Sequence, residues 1–189
     1  MNLKKFLLFL LLIVMTILGQ EKRILMVIAF ENFRDEELFV PKNIFEKNGI
    51  SVDIASIKKG TAIGMLGAKV EVKLILKDID VKNYDGIIFV GGTGSESLFT
   101  NSDAIKLAQE FYKNKKIVSA ICLAPGILAK AGILKGKKAT CYPSASKILR
   151  ENGAVYTGKD VEIDGNIITG SGPQVAEKFG NTILQILKK

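Results

Sequence analysis

Cys122 is the side chain in this sequence best placed for nucleophilic chemistry. It closes an apolar run over 116–121 and precedes Pro125, a residue favoured in the first turn of a helix. A strand that passes into a helix within about three residues leaves the cysteine at a bend, where free N–H groups and the helix dipole favour a thiolate. A small, buried, unreactive cysteine fits the same pattern. The local residues leave both interpretations open.

The composition limits what such a cysteine can do. The chain has 189 residues, of which two are cysteine and none is histidine. No Ser-His-Asp or Cys-His arrangement is therefore available, nor a histidine-containing zinc or haem site, and the thiols are too few for an all-cysteine metal site. We accordingly expect no metal and no other cofactor.

Three acids, Asp35, Glu36 and Glu37, mark the start of a predicted helix. Acidic side chains are favoured at that end by the helix dipole and are ordinarily solvated there. A protonated Glu37 could instead donate a hydrogen bond to the sulfur of Cys122 and favour the thiolate, and could later move a proton on a bound substrate. The charge pattern alone does not choose among the three acids.

A glycine-rich loop, Gly91-Gly92-Thr93-Gly94, follows the third buried apolar run. It lacks the third glycine of the dinucleotide-binding pattern and the Gly-Lys-Ser/Thr of a Walker loop. Ligands of parallel α/β sheets bind beyond the carboxyl ends of the strands, where this loop falls. We expect its backbone to approach Cys122 closely, although a simple tight turn fits the same residues.

The elements that must position these residues alternate along the chain. Continuous apolar runs predict strands buried on both faces, and amphipathic stretches between them predict helices. We predict buried strands at 23–30, 50–56, 86–90 and 116–122, a half-exposed edge strand at 69–76, and a hairpin with an Asp-Gly turn at 161–169. Predicted helices are 35–48, 102–114, 125–131 and 173–188, the last with an inner stripe of Val175, Phe179, Ile183 and Ile186.

This series predicts one α/β domain over residues 20–189. Its sheet is doubly wound and mostly parallel, with helices on both faces, in a flavodoxin-like arrangement. A chain of this size buries roughly 70% of its unfolded surface, which is enough for a core of its own.

Residues 1–19 have the pattern of a secretory signal. Lys4 and Lys5 precede an apolar run from Phe6 to Leu18, and Gly19 is a small residue at a possible cleavage site. The run is shorter than the roughly 18 to 20 residues that span a bilayer comfortably. We expect a cleaved signal and export to the periplasm or the cell exterior. An uncleaved membrane anchor is the alternative, and it is the only membrane association expected.

Five motifs, in order and with matching spacing, resemble the DJ-1/PfpI superfamily, most closely its DJ-1/ThiJ-like branch. They are Glu37 with Pro41, Asp85-GIIFVGGTGS, Ala120-Ile121-Cys122-Leu123-Ala124-Pro125, Tyr142-Pro143 and Asp164-GNIITGSGP. The resemblance implies a nucleophilic Cys122 that is hydrogen-bonded by Glu37. It also implies oxyanion donors at the N–H groups of Gly92 and Leu123, a homodimer, and a site lined by Gly91, Tyr142 and Cys141.

The sequence departs from this family at positions that bear on function. Leu123 stands where the peptidase-like branch has a histidine, and Tyr142 stands where the DJ-1 branch often has one. Without histidine, no strong base remains to activate the thiol for peptide hydrolysis, and glutamine amidotransferase chemistry is excluded. Ser171 replaces a family arginine, which weakens the expectation of an anionic group on the substrate.

Cys141 and the basic charge bear on redox state and partners. By the family register Cys141 lies near the mouth of the site, so an oxidising compartment would permit a Cys122–Cys141 disulfide. Bridging geometry is demanding, however, and we expect two separate thiols. The formal charge is +8, but the lysine clusters at 113–116 and 135–138 carry no interleaved aromatic residues. We expect no nucleic-acid partner.

These observations favour an enzyme that resembles the glutathione-independent glyoxalases and deglycases of this family. Cys122 would act on a small aldehyde, a 2-oxoaldehyde such as methylglyoxal. One alternative is a stress-responsive redox sensor or holdase chaperone, in which Cys122 is oxidised without turnover. A second is a PfpI-type cysteine peptidase, which the missing histidine disfavours.

Overall fold

The structure is a computed structural model that describes residues 21–189. Its strands are β1 (Arg23–Val27), β2 (Glu31–Phe33), β3 (Ser51–Ser56), β4 (Gly60–Gly64), β5 (Lys69–Val72), β6 (Leu74–Ile75), β7 (Gly86–Phe89), β8 (Ile117–Ile121), β9 (Lys138–Ala139), β10 (Val155–Tyr156), β11 (Val161–Asp164) and β12 (Ile167–Gly170). Its α-helices are α1 (Asp35–Lys47), α2 (Ser102–Lys113), α3 (Pro125–Lys130), α4 (Ser146–Glu151) and α5 (Ala176–Leu187). Short 3₁₀ helices at Thr93–Leu98, Pro143–Ala145 and Pro173–Val175 flank the site described below.

The central sheet confirms the predicted α/β architecture. In the described part of the chain, seven strands follow the order β11-β12-β8-β7-β1-β3-β6, and every neighbouring pair is parallel except β11 with β12. The central strands β1, β7 and β8 are buried almost throughout, which explains their continuous apolar sequences. Because these strands run parallel, the residues that follow them meet at one edge of the sheet.

Helices cover the sheet in two packed pairs. α1 packs against α5, and α2 packs against α3, and each pair also contacts strands of the central sheet. The first pair approaches closely at Gly180, where a Cβ atom would lie 3.0 Å from the Cα of Pro41. Pro41 lies inside α1 and has no N–H to donate to the carbonyl of Glu37. The helix nevertheless continues to Lys47.

Most of the predicted elements are confirmed. The helices expected at 35–48, 102–114 and 125–131 are α1, α2 and α3, and the hairpin expected at 161–169 is β11–β12, with Gly165 at a φ of +65° in its turn. The last predicted helix begins as the 3₁₀ turn at Pro173–Val175 and becomes α5 at Ala176. Its buried side includes Leu184 and Leu187, whereas Ile186 is only partly buried.

The prediction of a single edge strand at 69–76 is wrong. β5 pairs antiparallel with β4, which pairs with β2 in a separate three-stranded sheet of the described chain, and β6 alone forms the edge of the central sheet. Val70 and Val72 are buried while Lys69 and Glu71 are exposed, so the alternation correctly indicated a half-buried strand. The alternation of polar and apolar residues does not specify the partner strand, however, because a half-buried strand shows it whichever strand it pairs with.

The predicted signal or anchor at residues 1–19 lies outside the described residues. Within 21–189, no helix is long and apolar enough to cross a membrane.

Candidate active site

Cys122 lies at the bend between β8 and α3. Its φ is +63°, a left-handed conformation that is uncommon for a residue with a side chain. The backbone fixes this bend: the Cys122 N–H donates to the Gly170 carbonyl at 3.0 Å, and the Cys122 carbonyl accepts from the Tyr142 N–H at 2.8 Å. Residues held in such conformations cluster at functional sites. The bend is therefore the first reason to regard Cys122 as more than a core cysteine.

Glu37 lies in the first turn of α1 and is completely buried. Its Oε2 atom accepts a hydrogen bond from the Gly91 N–H at 3.0 Å. Its Oε1 atom has no well-formed hydrogen bond to any described residue. A buried, unsatisfied carboxylate oxygen is costly, and a bound proton reduces that cost. Glu37 is therefore arranged to hold a proton.

The three acids at the start of α1 have three different environments. Asp35 is buried against a neighbouring turn, Glu36 pairs with Arg34 at 2.8 Å between Oε2 and Nε, and Glu37 lies beside Cys122 next to Gly91. Successive side chains of a helix point about 100° apart, so adjacent residues meet different neighbours. The alternative of three solvated acids is therefore wrong for Asp35 and Glu37.

Gly91 lies between the two reactive side chains. A Cβ atom there would clash with the Glu37 carboxyl oxygen and would lie 2.6 Å from the Cβ of Cys122. Gly92 has a φ of +96°, and a Cβ atom there would lie 2.5 Å from the backbone nitrogen of Arg34. The predicted close approach of this loop to Cys122 is confirmed. Glycine is required because any side chain would occupy the space across which Glu37 and Cys122 meet.

Two backbone N–H groups act on the sulfur of Cys122. They belong to Gly92 and Leu123, the two donors expected from the sequence, and both lower the pKa of the thiol. One comes from the loop after β7 and the other from the bend after β8. The parallel sheet brings them together because both strands end at the same edge.

Cys122 and Glu37 titrate as an interacting pair. Burial raises the pKa of Glu37 to about 7, opposed by the Cys122 thiol and the Gly91 N–H. Burial and the charge of Glu37 raise the pKa of Cys122 to about 12, opposed by the N–H groups of Gly92 and Leu123. The pair thus loses one proton near neutral pH and keeps the other well above it. Transfer of that remaining proton to Glu37 leaves a thiolate held by both N–H groups.

A cavity of about 520 Å³ opens onto this pair. Among the expected site residues, its wall contains Cys122, Gly92, Leu123 and Tyr142. Glu37 and Gly91 lie behind the wall and are not part of it, so the expectation that Gly91 lines the cavity is wrong. Glu37 would therefore reach a substrate carbon only when that carbon is bonded to the Cys122 sulfur. No group of three or more acidic or cysteine side chains in residues 21–189 is arranged to hold a metal ion.

Several wall residues were not predicted from the sequence. They are Arg34, Met65, Thr93, Glu96, Ser144, Pro173 and Gln174. Arg34 is the most consequential of them, because the replacement of a family arginine by Ser171 suggested a site without a cation. The only sequence signal was its position immediately before the acids of α1. No sequence pattern indicated Met65. It lies in the turn between β4 and β5, and the apolar pattern did not indicate the small sheet to which this turn belongs.

Cys141 does not line the cavity, so its assignment to the site is wrong. It is completely buried in the core, and burial raises its pKa to about 12, opposed by Arg150. Both cysteines are free thiols, as expected in preference to a disulfide. Sequence adjacency to Tyr142 was misleading because neighbouring residues of an extended chain point to opposite sides.

A cysteine at a strand–helix bend and a buried glutamate at the edge of a parallel sheet define a class of α/β proteins with a nucleophilic cysteine. Within that class, the chain matches the DJ-1/PfpI family over residues 22–186 and belongs to it. The resemblance drawn from the five motifs is thereby confirmed at the level of the family.

Individual relatives agree with this placement. The chain is 49% identical to uncharacterized protein MJ0967 of Methanocaldococcus jannaschii, with 88% of this chain and 83% of that protein covered. Deglycase PH1704 of Pyrococcus horikoshii is 30% identical, with 82% and 94% covered. The crystal structure of a ThiJ/PfpI domain protein from Brachyspira murdochii is 34% identical, with a TM-score of 0.88 and coverage of 90% and 98%. The name of the Pyrococcus relative supports a deglycase-like role at the level of the family.

Proposed function

We propose that this protein is a glutathione-independent glyoxalase or deglycase that acts on 2-oxoaldehydes such as methylglyoxal. The observation that carries the proposal is the buried Glu37 beside Cys122, a pair that shares one proton over the neutral and alkaline range. The name of a relative at 30% identity, a deglycase, supports the same class of reaction.

The reaction would begin at the sulfur. A proton passes from Cys122 to Glu37, and the thiolate adds to the aldehyde carbon while the electron pair of the C=O bond moves to oxygen. The N–H groups of Gly92 and Leu123, which lower the pKa of the thiol in the free protein, stabilise the charge as it moves to the oxygen. Glu37 then returns its proton to that oxygen, giving a hemithioacetal and a carboxylate.

Glu37 would next move a hydrogen between carbons. Its carboxylate removes the proton from the carbon bonded to sulfur and delivers it to the neighbouring carbon, while the hydroxyl proton passes to the ketone oxygen. The former aldehyde carbon becomes a thioester and the ketone becomes an alcohol. Oxidation of one carbon balances reduction of the other, so no redox cofactor is consumed. Water then hydrolyses the thioester and releases lactate and the Cys122 thiol.

The test is conversion of methylglyoxal to lactate by the full chain in glutathione-free buffer. In D₂O we expect deuterium at C2 of the lactate, because the Glu37 carboxyl exchanges its proton with solvent during the transfer. Cys122→Ser should produce no lactate above the uncatalysed rate. Lactate formation by Cys122→Ser at the wild-type rate, or none by the wild type, would refute the proposal.

A redox sensor or holdase is the rival that the accessible cavity at Cys122 also allows. Under this rival, peroxide converts Cys122 to a sulfinic acid, and the intact mass increases by two oxygen atoms without any substrate. Oxidation combined with no methylglyoxal turnover would favour it. The peptidase rival is opposed by Leu123, which replaces the histidine; casein hydrolysis lost in Cys122→Ser would revive it.

Two further expectations belong to the proposal. We propose that residues 1–19 direct export and that the protein is a homodimer, the latter by family resemblance. Mass spectrometry of the N-terminus in fractionated cells tests whether the chain is cleaved after Gly19. Sedimentation equilibrium of the purified protein tests the dimer.

A further inference from the structure

The turn between β4 and β5, residues 64–68, forms part of the wall around Cys122. Met65 lines the cavity and is 39% exposed, whereas its neighbour Leu66 is 62% exposed and does not line it. The turn belongs to the small β2-β4-β5 sheet, while Cys122 follows a strand of the central sheet. The position of Met65 relative to Cys122 therefore depends on what fastens the turn.

Asp35 fastens this turn to α1. Its Oδ2 atom accepts the Leu66 N–H at 2.9 Å, and its Oδ1 atom accepts the Ala68 N–H at 3.0 Å. The residue is only 7% exposed, so little water competes for these bonds. Gly64 makes room for the carboxyl group, because a Cβ atom there would lie 2.5 Å from Oδ1. Both oxygens of Asp35 are thus committed to the turn.

The other N–H groups of the turn have backbone partners. Met65 donates to the Phe33 carbonyl at 2.9 Å, and Gly64 donates to the Ala68 carbonyl at 2.8 Å. Removal of the Asp35 carboxyl would leave two N–H groups without their acceptor while these backbone bonds remain. The expected consequence is a displaced or mobile turn rather than an unfolded domain.

We propose that Met65 is a specificity-determining residue of the Cys122 site and that Asp35 is the positioning residue that holds it there. A methionine side chain is apolar, polarisable and adaptable, so it suits the carbon substituent of a substrate whose carbonyl lies at the sulfur. The favoured substrate class is a 2-oxoaldehyde with an apolar substituent of limited size. The substrate class rests on the proposed function; the wall itself is tested without turnover.

Thiol alkylation measures the wall directly. Iodoacetamide and the bulkier N-phenylmaleimide react with the same Cys122 thiolate, so the ratio of their rates cancels any change in its pKa. We expect Met65→Ala and Asp35→Ala to raise the rate with N-phenylmaleimide relative to iodoacetamide by about tenfold, the scale on which an apolar pocket discriminates size. Peptide mass spectrometry assigns the adduct to Cys122, and Met65→Leu should restore the wild-type ratio.

Two matched control variants separate an effect on the position of Met65 from a general loss of protein stability. Leu66→Ala alters the same turn at a side chain outside the cavity. Asp164→Ala removes another carboxyl that uses both oxygens, toward the Lys138 N–H at 2.9 Å and the Lys137 Nζ at 3.0 Å, away from the wall. We expect both controls to keep the wild-type ratio. An unchanged ratio in Met65→Ala, or an equal change in Leu66→Ala, would overturn the proposal even if Asp35→Ala does not fold.

Turnover gives the second measurement. Phenylglyoxal and methylglyoxal serve as the two substrates. We expect Met65→Ala and Asp35→Ala to change KM for phenylglyoxal and to leave kcat for methylglyoxal nearly unchanged. Equal effects on both substrates would contradict a role in specificity. If the wild type converts neither substrate, the proposed function fails, while the alkylation ratio still decides whether residues 64–68 form the selective wall.

Discussion

The two cysteines of this chain share a residue type and a degree of burial but differ in chemistry. Both are free thiols with little or no exposure, and burial raises the pKa of each to about 12. Cys122 lies in a left-handed bend on a cavity, with Glu37 beside it and with the N–H groups of Gly92 and Leu123 lowering the pKa of its thiol. Cys141 lies in the core, and among the described residues the charge of Arg150 opposes the rise in its pKa.

The difference suggests a rule: a raised pKa need not by itself make a thiol inert. We expect a buried thiol to be unreactive when no neighbouring group can accept its proton, which is the situation of Cys141. At Cys122, an equally buried carboxyl group can take the proton, and backbone donors can hold the resulting charge. Reactivity is therefore a property of the Cys122–Glu37 pair and its surroundings.

The largest expected contrast is in turnover. Cys122→Ser should lower kcat/KM for methylglyoxal by roughly 10³-fold or more, since loss of a nucleophile removes the covalent path. Cys141→Ser should stay close to the wild-type value because that thiol does not reach the cavity. Steady-state lactate formation measures both. A comparable loss in the two variants would mean that the thiols act together and would break the comparison.

The next contrast concerns the proton acceptor. Glu37→Gln should lower kcat by roughly 10² to 10⁴, the usual contribution of a positioned acid–base group. The wild-type rate should rise with pH through about 7, as the pair loses its first proton, and this limb should vanish in the variant. Glu36→Gln, which alters the neighbouring acid paired with Arg34, is the control. An equal loss in Glu36→Gln would point to general electrostatics instead.

The free energy of unfolding should depend on pH because of the same group, the Glu37 carboxyl. The pKa of Glu37 is raised in the folded state to about 7 from an ordinary value of 4.5. Its contribution to stability is therefore complete below pH 4.5 and is lost as the pH rises through about 7, a change on the order of 3 kcal/mol. Urea denaturation across this range should show the loss in the wild type and in Cys141→Ser. Persistence of the full pH dependence in Glu37→Gln would assign it elsewhere.

The smallest expected effect is a change in the pKa of one thiol and not of the other. Glu37→Gln should lower the pKa of Cys122, because it removes the negative charge and the carboxylate acceptor that help to raise it. The pKa of Cys141 should not move. Iodoacetamide rates against pH, resolved by peptide mass spectrometry, report both. A Cys122 that titrates near about 8.5 in wild type and variant alike would be an unperturbed thiol.

The predictability of the site differed from residue to residue. Cys122, Gly92 and Leu123 could be placed together because each follows a strand whose apolar run is readable, and parallel strands end at a common edge. Met65 could not, since its turn belongs to short strands without an apolar run. Cys141 was misplaced because sequence distance from Tyr142 does not determine which way a side chain points.

The sequence by itself determined the buried strands of the central sheet, the longer helices around it and the classes of chemistry that histidine would be needed for. Burial on both faces imposes continuous apolar runs, and a chain without histidine lacks the usual partner of a nucleophile. The local pattern left three adjacent acids open and the family resemblance selected Glu37, but only the tertiary structure decided that Asp35 and Glu36 have other partners and that Cys141 does not line the cavity. These outcomes depend on distances between segments far apart in the chain. Packing of the strands and helices fixes such distances, and no local pattern encodes them.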